Sequence, residues 1–141
     1  MIAYVDTSVL VAALTNERET RRMQGWLADQ SVGMLAISDW VVTEFSAALS
    51  LKVRTGQIDK AHRAEAMAAF AKLSHESLDI FAIGAVEFRA AAHFCDQYAS
   101  GLRAGDALHI AVAANRGARL VTLDKKLSDA GAALNVRTRL L

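Results

Sequence analysis

Proline is absent from this 141-residue sequence, and cysteine occurs only once, as Cys95. A single cysteine excludes a disulfide framework and a zinc site built from cysteines, and it is typical of proteins in a reducing cytoplasm. No apolar run reaches the ~18 residues that suggest a membrane span. The first residues also lack the charged, apolar and cleavage-site pattern of a secretory signal. We therefore expect a cytoplasmic protein.

The sequence does contain enough apolar material for a hydrophobic core. Hydrophobic residues make up 53% of the chain, alanine is abundant and the net charge is +1. This composition is far from that of a disordered chain. Since the length is close to that of one typical domain, we predict a single domain over residues 1–141.

Short apolar segments alternate with longer helical ones along the chain. Runs of apolar and β-branched residues predict strands at 2–5, 34–37, 78–83, 119–123 and 134–137. Helical spacing and capping residues predict helices at 9–14, 17–29, 40–53, 60–73, 85–98, 106–115 and 125–130. This alternation predicts an α/β fold with a central, mainly parallel, four- to five-stranded sheet covered on both faces, which is a three-layer α/β/α sandwich.

Four acidic residues lie where an apolar segment meets a turn or a helix: Asp6, Glu44, Asp106 and Asp124. Asp6 and Asp124 directly follow predicted strands, and parallel sheets bind ligands beyond the carboxyl ends of their strands. Carboxylates brought together repel each other, so they persist only with positive charge between them. Oxygen ligands suit Mg²⁺ and Mn²⁺. The four acids together therefore predict a site for a divalent metal ion.

Each acid alone also has an ordinary structural interpretation. Asp6 and Asp124 are compatible with helix N-caps, and Asp106 with a first-turn acid that complements the helix dipole. Glu44 is compatible with an exposed helix surface, although a buried Glu44 would need a partner.

Metal-activated hydrolysis of phosphodiester bonds is the chemistry that such a site favours, because Mg²⁺ typically binds one or two protein carboxylates together with substrate phosphates. No Ser–His–Asp or Cys–His arrangement competes with it, and there is no Gly-rich phosphate loop. If metal neutralised the acids, the remaining surface would be mildly basic and would suit a phosphate-rich substrate. An ordinary solvated surface explains the same composition.

Other polar residues near the predicted edge of the sheet are secondary candidates. The hydroxyls of Ser8 and Thr122 are placed to hold a water or a phosphate oxygen, or to cap a helix, and Arg103 is placed to contact phosphates of a substrate. His109 lies one helical turn after Asp106, which is compatible with a metal ligand or a proton shuttle. We favour a satisfied, partly buried histidine.

The segments that contain the four acids resemble the four motifs of PIN-domain proteins, most closely those of the VapC-like toxins of bacterial toxin–antitoxin pairs. They are residues 6–10 (DTSVL), 41–45 (VVTEF), 102–109 (LRAGDALH) and 120–127 (LVTLDKKL). The resemblance extends in order and spacing over essentially the whole chain.

The resemblance implies a PIN-like version of the three-layer sandwich and an Mg²⁺- or Mn²⁺-dependent endoribonuclease, with the four acids as metal ligands. It also implies a homodimer and a cognate VapB-like antitoxin that blocks the cleft. Some family members carry an additional acid close to the fourth. Here Thr122 stands two residues before Asp124, and the next acid is Asp129. The sequence is therefore compatible with either one or two bound metal ions.

Functions from two other classes are also compatible with the sequence. The first is a phosphatase or a phosphate-accepting receiver domain, in which an aspartate after the first strand is a nucleophile or a ligand. A phosphatase of the haloacid-dehalogenase type requires a second acid two residues later, where Ser8 stands, and a receiver domain requires an aspartate after the third strand, where residues 80–84 offer none. The other alternative is a non-catalytic module whose groove serves only a partner, although all four acids are present.

Overall fold

A computed structural model describes the whole chain, Met1–Leu141. Its five strands are β1 (Ala3–Val5), β2 (Leu35–Ser38), β3 (Asp79–Phe81), β4 (Arg119–Thr122) and β5 (Thr138–Leu140). Its seven α-helices are α1 (Thr7–Leu14), α2 (Thr20–Ala28), α3 (Asp39–Arg54), α4 (Lys60–Ser77), α5 (Ala85–Cys95), α6 (Ala104–Arg116) and α7 (Lys125–Ala133), and a 3₁₀ turn covers Tyr98–Ser100. None of the helices combines the length and hydrophobicity that crossing a bilayer requires.

The five strands form one sheet in the order β3-β2-β1-β4-β5, and every neighbouring pair is parallel. Helices flank this sheet, so the predicted α/β fold with a central parallel sheet is confirmed. Strand β2 is buried along its whole length, and Tyr4 and Val5 of β1 are fully buried. Short, continuous buried runs of this kind are typical of strands in parallel sheets.

The strand order reverses between β1 and β4. The chain proceeds from β1 to β2 and β3 on one side of the sheet, and β4 and β5 then lie on the other side of β1. The backbone N–H of Asp6 donates to the carbonyl of Val121 at 3.1 Å, which keeps the ends of the two adjacent strands together. Such a reversal opens a crevice at the carboxyl ends of the strands, where α/β proteins bind ligands.

Helix α6 is the central helix of the fold, as its apolar sequence predicts. Every residue from Ala107 to Ala113 is buried. A helix buried on most of its faces is held rigidly by packing. This matters for the site because α6 carries both Asp106 and His109.

The predicted fifth strand at 134–137 is wrong. These residues follow α7 and bond back to it, since the N–H of Val136 donates to the carbonyl of Gly131 at 2.9 Å. Asn135 also has a φ of 62°, a left-handed conformation that interrupts an extended strand. The strand therefore begins only at Thr138. Leu134 and Val136 were mistaken for part of a strand, although they lie where the chain leaves α7.

Several other predicted boundaries also differ from the structure. The third strand was predicted over 78–83, but β3 is shorter and lies at an edge of the sheet, where Ile80 is 47% exposed. The helix predicted over 85–98 ends at Cys95 and is followed by the 3₁₀ turn. The helix predicted over 60–73 continues to Ser77. None of these differences moves a candidate site residue to another element.

Candidate functional site

The four acids are carried by elements that meet at the reversal of the sheet. Asp6 follows β1 and precedes α1, and Asp124 follows β4 and precedes α7. Glu44 lies in the second turn of α3, and Asp106 lies in the first turn of α6. Glu44 is close enough to Asp6 and to Asp106 for its charge to raise the pKa of each, and Asp124 does the same to Asp106. The structure therefore brings all four into one electrostatic cluster.

Asp6 is the most buried of the four, with 5% of its surface exposed. Burial raises the pKa of its carboxyl to about 6, although a hydrogen bond from Ser8 opposes the shift. The side chain makes no capping hydrogen bond to α1, even though Asp6 occupies the N-cap position. The ordinary capping role therefore does not explain this residue, since a buried carboxylate without compensating charge is costly.

Asp106 is also held in a partly buried and negative environment. Burial raises the pKa of its carboxyl, and the nearby charge of Asp124 raises it further. Arg103, exposed at the N-cap position of α6, opposes these effects through its positive charge. The first turn of a helix favours an acid through the helix dipole, but this does not account for a second carboxylate nearby.

Glu44 has the partner that its partly buried position requires. His109 Nε2 lies 2.5 Å from Glu44 Oε1, and the hydroxyl of Thr7 donates to the same oxygen at 2.7 Å. Burial raises the pKa of Glu44, but the hydrogen bond and charge of His109 outweigh burial, and its pKa lies below the ordinary value. Glu44 is thus stabilised as a carboxylate.

Asp124 does have a capping role. Its Oδ1 accepts the N–H of Lys126 at 2.9 Å and that of Leu127 at 3.3 Å, at the start of α7. Both bonds use the same oxygen, so Oδ2 is left for a ligand. Capping and ligand binding are compatible here because they use different atoms.

Ser8 and Thr122 connect the two strand ends that carry Asp6 and Asp124. The Ser8 hydroxyl donates to Asp6 Oδ1 at 2.6 Å and accepts the N–H of Leu123 at 3.1 Å. Thr122 is fully buried, and its hydroxyl accepts the N–H of Asp124 at 2.9 Å. Both hydroxyls are engaged in orienting the acids, and their predicted contact with substrate stays a prediction.

The basic residues and the additional acid near the fourth motif lie on the surface. Lys125 pairs with Asp129 at 2.8 Å, and both side chains are largely exposed. Asp129 is thus engaged on the exposed surface of α7.

His109 is satisfied, as predicted, but it is more deeply buried than predicted, with 2% of its surface exposed. Its Nδ1 lies 2.8 Å from the hydroxyl of Tyr4, which lies 2.7 Å from Ser38 Oγ. Tyr4 and Thr7 are neighbours of the site that were not predicted from the sequence. A tyrosine in a fully buried strand does signal a hydrogen-bond partner, but nothing local indicates a partner 105 residues away.

The donor set fits a hard divalent cation. All four acids offer oxygen, and both Asp6 and Asp106 are in surroundings that disfavour their charge, which a cation would reverse. No three acidic, histidine or cysteine side chains lie close enough to form a preformed metal cluster. Mg²⁺ commonly reaches some protein carboxylates through water, so carboxylates at this separation are compatible with its binding. The assignment of the four acids as ligands stays a prediction.

Comparison with known proteins identifies a family model. The model described as PIN domain matches residues 3–133. No curated protein shows significant sequence similarity to the chain.

Solved structures with the same fold include toxin–antitoxin proteins. VapBC2 from Rickettsia felis, bound to a promoter DNA fragment, is 21% identical over 99% of this chain and 98% of its own, with a TM-score of 0.69. VapC20 from Mycobacterium tuberculosis, described as a sarcin–ricin loop cleaving toxin, is 20% identical over 92% and 95%, with a TM-score of 0.71. VapBC-5 from Mycobacterium tuberculosis, a member of the VapBC family of toxin–antitoxin systems, is 17% identical over 100% of both chains, with a TM-score of 0.61.

Proposed function

Because this chain belongs to the PIN-domain family, we propose that it is an Mg²⁺- or Mn²⁺-dependent endoribonuclease that hydrolyses phosphodiester bonds in RNA. The observation that carries the proposal is the cluster of carboxylates at the reversal of the sheet, in which burial and neighbouring negative charge raise the pKa of both Asp6 and Asp106. Groups held at such a cost are candidates for function.

The four carboxylates have different roles in metal binding because their surroundings differ. Asp6 and Asp106 are the principal ligands, because burial and neighbouring carboxylates raise the pKa of each, and a cation would reverse that effect. Glu44 and Asp124 each have one oxygen engaged by the protein and one left for the cation or its water. When bound, the cation supplies activation of water and stabilisation of charge on the phosphate.

Arg103 is proposed to hold the RNA backbone. It is exposed beside Asp106, so a phosphate drawn toward the metal would lie within its reach. Contacts of this kind position a nucleic acid without reading its sequence. RNA as the substrate class is supported by the shared fold with a toxin described as cleaving the sarcin–ricin loop.

We further propose that the chain is the toxin of a type II toxin–antitoxin pair in the cytoplasm. It would act as a homodimer, with a VapB-like antitoxin as its cognate partner. The shared fold with VapBC proteins, over nearly the whole of each chain, supports this assignment. A single compact domain over residues 1–141 is part of the same proposal.

Cleavage of labelled total RNA by the purified protein tests the proposal. We expect discrete cuts with Mg²⁺ or Mn²⁺ and none with excess chelator, because the carboxylates cannot activate water without a cation. Absence of cutting under every condition, by folded protein free of antitoxin, would contradict a nuclease and favour the non-catalytic module. Trapping by an aspartyl-phosphate mimic would instead favour the phosphatase.

A further inference from the structure

A line of buried side-chain hydrogen bonds runs from the centre of the sheet to Glu44. Ser38 Oγ lies 2.7 Å from the Tyr4 hydroxyl, and that hydroxyl lies 2.8 Å from His109 Nδ1. The other ring nitrogen, Nε2, lies 2.5 Å from Glu44 Oε1. Ser38, Tyr4 and His109 are all at most 2% exposed. The line therefore begins in the core and ends at a candidate metal ligand.

The direction of these hydrogen bonds follows from the chemistry of the last contact. An ionised carboxylate only accepts, so His109 Nε2 carries the hydrogen that points to Glu44. The Tyr4 hydroxyl then donates to Nδ1 of a neutral ring or accepts from Nδ1–H of a charged one. In either state Tyr4 fixes the rotation of the imidazole, and the imidazole fixes the carboxylate.

The elements that carry this line are rigid. Tyr4 lies in β1, between two neighbouring strands, and its ring stacks on that of Phe81 with the centroids 6.3 Å apart. His109 lies in the fully buried stretch of α6. Hydrogen bonds from rigid elements hold a functional group more closely than contacts from loops.

The two oxygens of Glu44 have different surroundings. Both hydrogen bonds from His109 and Thr7 go to Oε1. Oε2 lies beside Gly105, because a Cβ placed on Gly105 would be 3.6 Å from it. This oxygen therefore lies near the first turn of α6, which also carries Asp106.

We propose that Tyr4 and His109 are positioning residues that hold Glu44 by Oε1 and present Oε2 alone to the divalent cation. This inference rests on the proposed metal-dependent function. Core packing alone does not explain these hydrogen bonds, since they connect the buried Tyr4 and His109 to Glu44, a half-buried carboxylate. Partners that orient metal ligands in this way typically contribute 10- to 100-fold to metal affinity.

Four variants test this assignment. Tyr4→Phe removes the hydroxyl and keeps the stacked ring, and His109→Leu removes the donor to Glu44. His109→Gln restores a donor amide at a similar reach. Tyr98→Phe is the matched control for Tyr4→Phe, because Tyr98 is 91% exposed. The dissociation constant of Mn²⁺ is measured for each folded protein without RNA.

We expect Tyr4→Phe to weaken Mn²⁺ binding about 10-fold and His109→Leu about 100-fold. His109→Gln is expected to recover most of the affinity that His109→Leu loses, and Tyr98→Phe to bind as the wild type does. A purely structural role would lower thermal stability but leave the dissociation constant of the folded protein unchanged. Wild-type affinity in both Tyr4→Phe and His109→Leu would overturn the assignment.

Asp6→Asn separates this inference from the function on which it rests. If Asp6→Asn loses Mn²⁺ binding while Tyr4→Phe and His109→Leu both bind as the wild type does, only the positioning role fails. If Asp6→Asn binds Mn²⁺ as tightly as the wild type, the proposed site and the positioning role fail together.

A second readout needs no metal. The Nε2–H proton of His109 is expected at low field in the NMR spectrum of the metal-free protein, because it forms a short hydrogen bond to a carboxylate. Glu44→Gln should move it toward higher field. An identical resonance in both proteins would overturn the contact.

Discussion

Asp6→Asn and Asp106→Asn are each expected to abolish RNA cleavage while the fold survives. Each substitution keeps the size of the side chain and removes the negative charge that attracts a cation. Metal-ion catalysis contributes several kcal/mol to the reactions that depend on it, and each 1.36 kcal/mol is a factor of ten in rate. The loss should therefore be at least ~10³-fold.

Asp129→Asn is the matched control for these variants. Asp129 is an exposed aspartate that pairs with Lys125, so its replacement changes the net charge equally without touching the cluster. We expect it to retain nearly full activity. Full activity in both Asp6→Asn and Asp106→Asn, measured on labelled RNA with saturating Mg²⁺, would contradict the four-acid site.

Asp6→Asn is also expected to stabilise the metal-free protein, by about 3 kcal/mol at neutral pH. Burial raises the pKa of Asp6 from an ordinary 3.8 to about 6, and each unit of difference corresponds to 1.36 kcal/mol. The asparagine avoids this cost because it carries no charge, and its oxygen can still accept the hydrogen bond from Ser8.

The stabilisation should depend on pH with a definite sign. Below pH ~4 the carboxyl of Asp6 is protonated in both the folded and the unfolded chain, so the cost is absent. Between pH ~4 and ~6 only the unfolded chain ionises, and the stability of the wild type falls as pH rises. Above pH ~6 the cost is complete. The variant lacks this contribution, so its advantage should grow over the same interval.

Urea unfolding of both proteins in excess chelator, from pH 4 to pH 8, measures this difference. Mn²⁺ added at pH 8 should then stabilise the wild type more than the variant, because a ligand that binds only the folded state stabilises it by mass action. An asparagine variant that is no more stable than the wild type at pH 8 without metal would contradict the buried, uncompensated state of Asp6.

The positions of the first and fourth acids were predictable because they depend on local sequence. Asp6 and Asp124 each follow a short apolar strand, and the carboxyl ends of parallel strands lie at the same edge of the sheet. The reversal of strand order between β1 and β4 was not predicted, since it depends on which strands pair. It is this pairing that places the ends of the two strands, and the acids that follow them, next to each other in the sheet.

The surroundings of Glu44 show where local patterns stop being informative. Its helix and the need for a partner followed from the sequence, but the identity of that partner did not. His109 is 65 residues away along the chain, and Tyr4 reaches His109 from another element. Such contacts depend on how α3, α6 and β1 pack together.

The misplaced fifth strand has a different cause. Leu134 and the β-branched Val136 favour a strand, yet the backbone at Asn135 turns left-handed and bonds back to α7. Hydrogen bonding to the preceding helix outweighs strand propensity at this position, since strand propensity depends strongly on context.

The most direct test of the four-acid metal site is the anomalous scattering of Mn²⁺ in crystals of the protein. If the four acids bind the cation, an anomalous peak is expected among the carboxylates of Asp6 and Asp106, with Glu44 Oε2 and Asp124 Oδ2 bound to the ion or to its waters. The absence of a peak between these side chains at saturating Mn²⁺, or an ion held only elsewhere on the molecule, would contradict it.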